Sequence, residues 1–493
     1  MDVNIIGGAS AHLHDATKSS DDGDFREPRV FESEDLPASR EVLAQLRRGT
    51  DQADLATRPV VLPDFHHKRK LEMPSSIAVA TRGTIRPTLT SGSVNCGMAL
   101  IALDTGLAEG EKPDARAVTQ FYEGMKERYP YPTGSRRDLS YQECLRVAAE
   151  GADFAMDRWG VDAEDIERIE EQGRINLDKY GGVKAMRRVV PSLAFQLARM
   201  RFGTVGPSNH FVELQQVEEI YDEEKAARLG VRKGQIVINF HAGGGVLTGE
   251  VGRMFGRRKD FPKHLRYAEA VLKPWSHLRT TNPAVLKERW RLYFAGECPP
   301  VDLDSAEGRR LMLANAAAMN YGFAFRMATY GALRELAVRA FGGSPGKLIV
   351  DSPHNSVYEE EVDGARAVVH RHNSCRAFGA DRMRPGTAFA ETGQAVLIPG
   401  THRTSSYLAV AGEHAADSLH SACHGAGTVV KQFAEDGRSS EETTETLRFR
   451  YSTPQIETVK HYDDNGVDAA LGVLATHRLV APVARMRPFA VLH

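Results

Sequence analysis

Residues 235–245 read Gln235-Ile236-Val237-Ile238-Asn239-Phe240-His241-Ala242-Gly243-Gly244-Gly245. The β-branched run Ile236–Ile238 predicts a short buried strand, and the three glycines after Ala242 predict a tight turn that receives it. The strand therefore hands His241 to a loop where a ligand could approach the backbone closely. The arrangement recurs along the chain. Lys347-Leu348-Ile349-Val350 predicts a strand that delivers His354, in Ser352-Pro353-His354-Asn355. Ala365 to Val369 leads to His370, and Gln394 to Ile398 leads to Pro399-Gly400.

Helical signals lie among these strands. Ser140 with Glu143 forms a capping-box pattern before Leu145, Val147, Ala148 and Phe154. Asp304 with Glu307 repeats it, and helical periodicity then runs to Phe341 and stops at Gly342-Gly343. That stretch is long for one helix, and Gly322 and Gly331 predict a break. Helices and strands mix without a regular βαβ alternation. The pattern predicts an α+β fold, one large domain over residues 57–493 with a mixed, largely antiparallel β core and surrounding helices. Residues 1–56 read as a polar extension, mobile or loosely docked from residue 15, with Ser19-Ser20-Asp21-Asp22-Gly23-Asp24 as its acidic extreme. No repeat of solenoid period is visible.

Composition sets outer bounds. The 493 residues carry 63 Lys+Arg against 65 Asp+Glu, a net charge of −2, so a nucleic-acid partner needs a local basic patch. With 42% hydrophobic and 26% charged residues, wholesale disorder is excluded. No run of about 18 apolar residues predicts a membrane span. Met1-Asp2-Val3-Asn4 lacks a basic region followed by an apolar stretch, so a secretory signal is not expected. The cysteines Cys96, Cys144, Cys298, Cys375 and Cys423 are odd in number and form no CxxC. A disulfide framework is not expected, and a reducing cytoplasm is.

The residues that could do chemistry sit in small-residue surroundings. Cys96 lies in Val94-Asn95-Cys96-Gly97 and His210 in Gly206-Pro207-Ser208-Asn209-His210-Phe211. With His241 and His354 they make a thiolate–imidazole set suited to a divalent first-row metal, and ligand softness alone names zinc. Their spacing is not diagnostic, and any one histidine is more often a surface or satisfied core residue. Cys423-His424-Gly425-Ala426-Gly427 places an imidazole between small residues. An unhindered imidazole can attack phosphorus to give a phosphoramidate, although taken alone the motif is an ordinary Gly-rich turn. Ala242 to Gly245 could nest phosphate oxygens, but it has neither the Walker Lys-Ser/Thr nor GxGxxG. Basic residues are dense at Arg253, Arg257, Arg258, Lys259, Lys263 and Arg266, and His370-Arg371-His372 is a second group. Such runs are mostly solvated faces. Aromatics are sparse among them, so an RNA surface there would rest on phosphate contacts rather than stacking.

Taken in order, these segments resemble the RtcB family of tRNA-splicing RNA ligases. The matching pieces begin at Leu62-Pro63-Asp64-Phe65-His66 and Val94-Asn95-Cys96-Gly97, and continue with Phe202-Gly203-Thr204-Val205-Gly206, Asn209-His210-Phe211 and His241 with its glycines. Asn320-Tyr321, His354-Asn355, His370-Arg371 and Gly393 to Gly400 follow, then Ser421 to Gly427 and Val483-Ala484-Arg485-Met486-Arg487-Pro488. The resemblance implies an enzyme joining an RNA 3′-phosphate or 2′,3′-cyclic phosphate end to a 5′-hydroxyl end, as in RNA repair or tRNA splicing. It implies GTP and two manganese ions, which replaces the zinc named by softness, and leaves a place for an activating protein factor. Carried over, His424 is the guanylylated nucleophile, and Cys96, His210, His241 and His354 are the metal ligands. Asn209, Glu213, His354, Asn355, Thr401, Ser406, His424, Gly425, Ala426, Gly427 and His493 match nucleotide-binding positions.

The chain departs from that pattern at positions that handle charge. Ser93 stands where the family has an Asp three residues before the metal-bridging Cys, which weakens one of two metal sites. Gly245, His372, Thr428 and His493 stand where the family has cations. His67-Lys68-Arg69-Lys70-Leu71-Glu72 replaces a glycine-containing stretch. Three classes follow: an RNA ligase with compensating residues, a metal- and nucleotide-dependent enzyme on the same scaffold with an altered nucleotide or polynucleotide substrate, or a non-catalytic RNA-end-binding member. Relaxed or changed nucleotide preference is expected, because cationic contacts are lost at His493 and Thr428.

Overall fold

The strand expected at Ile236 runs Ile236–Ala242 and lies inside a nine-stranded sheet in the computed structural model, which describes residues 25–493 except 52, 69–72, 90–91, 109, 133–135, 207–208, 256–262 and 296. The order across the sheet is Ala395–Ile398, Ser406–Ala411, Val480–Leu492, Phe211–Ile220, Ile236–Ala242, Gly97–Asp104 and Ser344–Pro353. The hairpin Glu441–Arg450/Thr453–Tyr462 joins it along Val480–Leu492. That last contact is parallel, and the others in this sheet are antiparallel. All seven residues of Ile236–Ala242 are buried because the sheet is covered on both faces. Ile236, Ile238, Phe240 and Ala242 pack toward a core shared with the helices, while Val237 joins a second core that includes Met98 and Leu100. Strand alternation sends Asn239 and His241 to the Val237 face. A five-stranded sheet carries Arg29–Val30, Val60–Val61, Ile77–Thr81, Ala365–His372 and Asn355–Val362 in that order. The architecture is the expected α+β one with a largely antiparallel core.

The helix Ala306–Phe341 is a single 36-residue element, with no break at Gly322 or Gly331. Both glycines are close-approach positions instead. A Cβ on Gly322 would stand 2.7 Å from Asn95 and one on Gly331 3.2 Å from Trp159. Burial along most of the helix outweighs the propensity cost of glycine. Its N-cap is Ser305, whose Oγ accepts from the Gly308 amide at 2.9 Å, rather than Asp304. The Ser140/Glu143 capping box forms as expected, with bonds of 2.7 and 3.1 Å.

Two further expectations change. The described part of the polar extension is docked: Arg29–Val30 pairs with Val60–Val61, and helix Arg40–Thr50 buries Leu46 beside Val61, Ile77 and Val79. A few apolar residues anchor it, which its charged composition hides; the acidic run 19–24 lies outside the described residues. His370-Arg371-His372 is not a solvated face but part of an interior strand, and all three are buried. Arg371 pairs bidentately with Glu360 (2.5 and 2.9 Å) and donates through Nε to Ser421 Oγ at 2.9 Å. In the other basic group Arg257, Arg258 and Lys259 lie outside the described residues, and Lys263 and Arg266 begin the helix Lys263–Leu278. All five cysteines are unpaired and buried. Among the described residues no helix is long and apolar enough to cross a membrane.

Candidate functional site

Cys96 is held at the start of Gly97–Asp104 by a residue in left-handed backbone conformation, Asn95, at φ 55°. Asn95 is fixed on three sides. Its amide donates to Asn355 O (2.9 Å), its Nδ2 to Met319 O (2.5 Å), and its carbonyl accepts from Arg326 Nη1 (2.6 Å). Arg326, fully buried in the long helix, also makes a bidentate pair with Asp351 at 2.6 and 2.7 Å. The His354 amide donates to the Cys96 carbonyl at 2.8 Å, which joins two site loops.

The four expected metal ligands come together as three plus one. Cys96 Sγ lies 3.6 Å from His210 Nε2 and 3.2 Å from His241 Nε2, and the ligand atoms of these three are all within 4.8 Å of one another. His354 stands one step out, its Nε2 3.0 Å from His241 Nε2. His210 Nδ1 faces Val205 O (3.1 Å) and His241 Nδ1 faces Asn209 O (2.8 Å). Nδ1–H donation to those carbonyls leaves the Nε2 lone pairs for the cluster. Burial holds His210, His241 and His354 below the ordinary histidine range, so each is a neutral ligand near pH 7. Burial pushes the Cys96 thiol up to about 12, against the pull of the Arg326 and Lys68 cations. A bound cation would displace that thiol proton, and the donor set fits a divalent first-row metal. The converging group contains no carboxylate among the described residues. Ser93 offers its carbonyl to Asn355 Nδ2 at 3.2 Å.

His424 follows the short strand Ser421–Cys423, which pairs with Ser374–Arg376, and precedes helix Gly427–Glu435. Its ring centroid is 4.6 Å from that of His354, which places it against the Cys/His cluster. Its Nδ1 is buried without a hydrogen-bond partner. Burial first, then the charges of Lys68, His66 and His372, lower its pKa to about 3, so the imidazole is neutral at pH 7. Asp64 Oδ1 accepts from the amides of Thr428 and Val429 at 2.9 and 3.1 Å and fixes the turn Gly425-Ala426-Gly427 from outside. The Ala426 amide donates to Pro399 O at 2.9 Å and brings in the loop 399–406.

That loop organises the expected nucleotide residues. The Thr401 amide donates to Thr404 Oγ1 at 2.8 Å. Gln215 Nε2 bridges Glu213 Oε2 (2.7 Å) and Ser406 Oγ (3.1 Å). Glu213 pairs with Val491 across the sheet, so strand alternation places Glu213 and His493 on one face. The His493 ring lies 5.3 Å from His402, whose Nε2 is buried without a partner. Burial pushes the Glu213 carboxyl up to about 7. On the metal side, Asn355 Oδ1 accepts from the Asn373 amide at 3.0 Å, and Asn209 is exposed apart from its carbonyl contact with His241.

Two departures acquire a structural reason. Gly245 has φ +78° and opens helix Gly245–Phe255, and a Cβ there would stand 2.6 Å from Phe325 and 2.8 Å from Tyr321. The aromatic packing excludes any side chain at that position. His372 is buried beside Lys68, whose charge acts on Cys96, His354, His372 and His424 alike. A cation is thus present in the site, delivered from the loop after Asp64 rather than from position 372. Sequence reasoning did not assign Asp64, Lys68, Arg326 or His402. For Arg326 and His402 the sequence carries no signal; for Lys68 the signal was the altered segment that follows His66.

The chain matches the family model for RtcB, tRNA-splicing ligase RtcB, over residues 45–493. It is 29% identical over 424 residues to the tRNA-splicing ligase RtcB of Pyrococcus furiosus, covering 80% of this chain and 39% of that protein. The protein of the same name from Thermococcus kodakarensis is 28% identical over 456 residues, covering 88% and 86%. That from Pyrobaculum aerophilum is 31% identical over 389 residues, covering 76% and 73%. The chain thus spans about two fifths of the length of the Pyrococcus furiosus relative and most of the other two.

Proposed function

The chain belongs to the RtcB family, and from that membership together with the site geometry we propose that it is an RNA ligase. The reaction joins a 3′-phosphate or 2′,3′-cyclic phosphate RNA end to a 5′-hydroxyl end, with GTP as the activating nucleotide and manganese as the metal. The observation that carries this reading is the placement of His424, a neutral imidazole between small residues and 4.6 Å from the His354 ring of the Cys/His cluster.

Cys96, His210, His241 and His354 would hold the metal. When bound, it supplies positive charge that offsets the charge developing on the phosphate oxygens. Attack falls to the His424 ring nitrogen that carries the lone pair; Nδ1 is buried without a hydrogen-bond partner. The N–P bond forms as the α–β bridging P–O bond breaks and pyrophosphate leaves, and the imidazole sheds its proton as the phosphoramidate settles. A 2′,3′-cyclic end is first opened by water, which breaks the P–O2′ bond and leaves a 3′-phosphate; transfer of the nucleotide to that 3′-phosphate then breaks the N–P bond and gives the 3′ end a leaving group. The 5′-hydroxyl then displaces the nucleotide monophosphate. Glu213, Ser406, Thr401 and His493 would contact the nucleotide, together with Asn209 and Asn355. The five unpaired cysteines agree with a reducing, cytoplasmic setting.

A converging group without a carboxylate among the described residues, and the neighbouring rings of His402 and His493, favour a second reading, in which the same chemistry runs with another nucleotide. One experiment tests both. The protein is incubated with manganese and each of the four α-radiolabelled nucleoside triphosphates, resolved on a denaturing gel, and assayed in parallel on RNA with defined ends. An acid-labile, alkali-stable adduct that His424→Ala removes is expected. Labelling best with a triphosphate other than GTP supports the second reading. Absence of an adduct with all four removes the nucleophile and with it the ligase reading.

A further inference from the structure

The helices Lys263–Leu278 and Pro283–Tyr293 form a hairpin that the site does not use. Its inner face is anchored. His277 Nε2 bonds Met254 O at 2.9 Å, Tyr293 OH donates to Glu307 Oε1 at 2.8 Å, and Arg289 Nε donates to Glu307 Oε2 at 2.7 Å. These contacts tie the hairpin to the start of the long helix and fix which side faces outward.

The outward side is apolar and aromatic. Val271, Trp275, Leu286 and Trp290 are 69%, 61%, 39% and 52% exposed. They form an i, i+4 pair on each helix, where a globular protein would place its polar face. Two of the chain's three tryptophans are here. The Arg279 guanidinium lies 4.9 Å over the Trp275 ring, Trp290 stacks on Phe294 at 5.3 Å, and Lys273 Nζ lies 6.0 Å over Phe294. The chain as a whole is acidic by two charges, yet residues 263–293 carry seven Lys/Arg against two Glu, and of the seven Arg289 and Arg291 are paired with Glu307 and Glu297. Arg279 and Lys287 are exposed. A protein partner for so apolar a patch would not call for this excess of cations; a polyanion with flat apolar groups would.

We propose that this hairpin is a stacking platform for single-stranded RNA, with bases on Trp275 and Trp290 and phosphates met by Arg279, Lys287 and Lys273. Flat rings bordered by cations are what sequence-tolerant single-strand binding uses, because every base has a π-face and every nucleotide a charge. The platform would hold the strand leading to the end being joined. It rests on the reading of RNA as substrate.

The test measures binding of a fluorescently labelled oligouridylate of about 20 nucleotides, longer than the ~4–16-nucleotide sites of single-strand-binding folds, by anisotropy at several salt concentrations. Wild type is compared with Trp275→Ala/Trp290→Ala and, because Trp290 also packs on Phe294, with Trp275→Ala/Arg279→Glu. Sedimentation is run alongside, and nucleotide labelling reports on the His424 site. The expected result is at least about a tenfold loss of RNA affinity in both variants, a shallower salt dependence in the second, and unchanged nucleotide labelling. Wild-type RNA binding that both variants retain overturns the platform and leaves the ligase reading standing. No RNA binding by wild type overturns both. Self-association of wild type that the variants lose, with RNA binding unchanged, assigns the surface to a second copy of the chain instead.

Discussion

Asp64 Oδ1 lies 2.9 Å from the amide nitrogen of Thr428, a residue 364 positions later in the chain, and caps from outside the helix that begins behind His424. The first amides of a helix have no intrahelical acceptor, and this carboxylate takes two of them, Thr428 and Val429. Asp64→Ala is expected to cost about 1–2 kcal/mol of stability, as for loss of an N-cap. It should also slow nucleotide labelling of His424 by more than that stability loss explains, because the turn carrying the imidazole is released. Asp64→Asn keeps an acceptor oxygen and should restore most of both. Urea unfolding and labelling rates of the two variants check this; equal labelling in Asp64→Ala and wild type would make the contact purely structural.

Lys68 is expected to act on phosphate. Its ammonium acts electrostatically on Cys96, His354, His372 and His424 at once. A charge-assisted contact is worth about 1.5–3 kcal/mol, so Lys68→Ala should lower nucleotide labelling roughly 10- to 150-fold. Metal content, read by elemental analysis, should not fall. Lys68→Arg should recover part of the labelling. A Lys68→Ala protein that labels normally would show that the cation only shapes the loop.

Removing one partner of the buried pair Arg326–Asp351 should be severe. Both side chains are fully buried, and Arg326 also holds the Asn95 carbonyl beside Cys96. Arg326→Met leaves an uncompensated carboxylate in the interior, at a cost of about 3–5 kcal/mol. The double variant Arg326→Met/Asp351→Leu should regain much of that stability yet still bind metal more weakly, because Asn95 loses its anchor. Chemical denaturation with metal titration separates the two effects.

Stability should fall as pH drops from 7 to 5. Burial lowers the pKa of His277, His370, His402, His420 and His461 to about 2, 4, 3, 4 and 4. The unfolded chain takes up those protons near the ordinary histidine value and the folded chain does not. The stability contribution of each is therefore present above about pH 6.5 and is lost as pH falls toward the folded value, at up to about 1.4 kcal/mol per pH unit. Partial exposure of His402 and His420 reduces their share. Asp64, Glu213 and Asp468, raised by burial to about 7, 7 and 6, work oppositely, since the folded chain keeps protons that the unfolded chain has lost. The histidines outnumber them, so urea midpoints measured in chelator at pH 7, 6 and 5 should decline. A flat or rising series would mean that the carboxyls prevail.

The sequence made legible those features whose signal is local. The run before His241 announced a strand through its β-branched residues, and Ser140 with Glu143 announced a helix start through side-chain chemistry acting over three positions. The long helix was misread at Gly322 because propensity is local, whereas the packing of Asn95 against that glycine comes from 227 positions away. How the described part of the polar extension docks was not legible because Leu46 is one buried residue among many charged ones. In the site, Cys96, His210, His241, His354 and His424 were named through family resemblance, not spacing. Arg326 had no sequence signature, since nothing marks a helical arginine as one that faces inward onto Asp351.

The strand Val480–Leu492 runs between Ser406–Ala411 and Phe211–Ile220, so a strand made long after both of its neighbours is an inner one. While the protein is being synthesised, both flanking strands leave the ribosome with an open edge. Until Val491 arrives, the strand that carries Glu213 is paired on one side only, with Ile236–Ala242. The four Cys/His residues of the cluster all lie at or before His354 and are made earlier. A chain ended before Val480 therefore leaves the Glu213 strand open along the edge that Val480–Leu492 would cover.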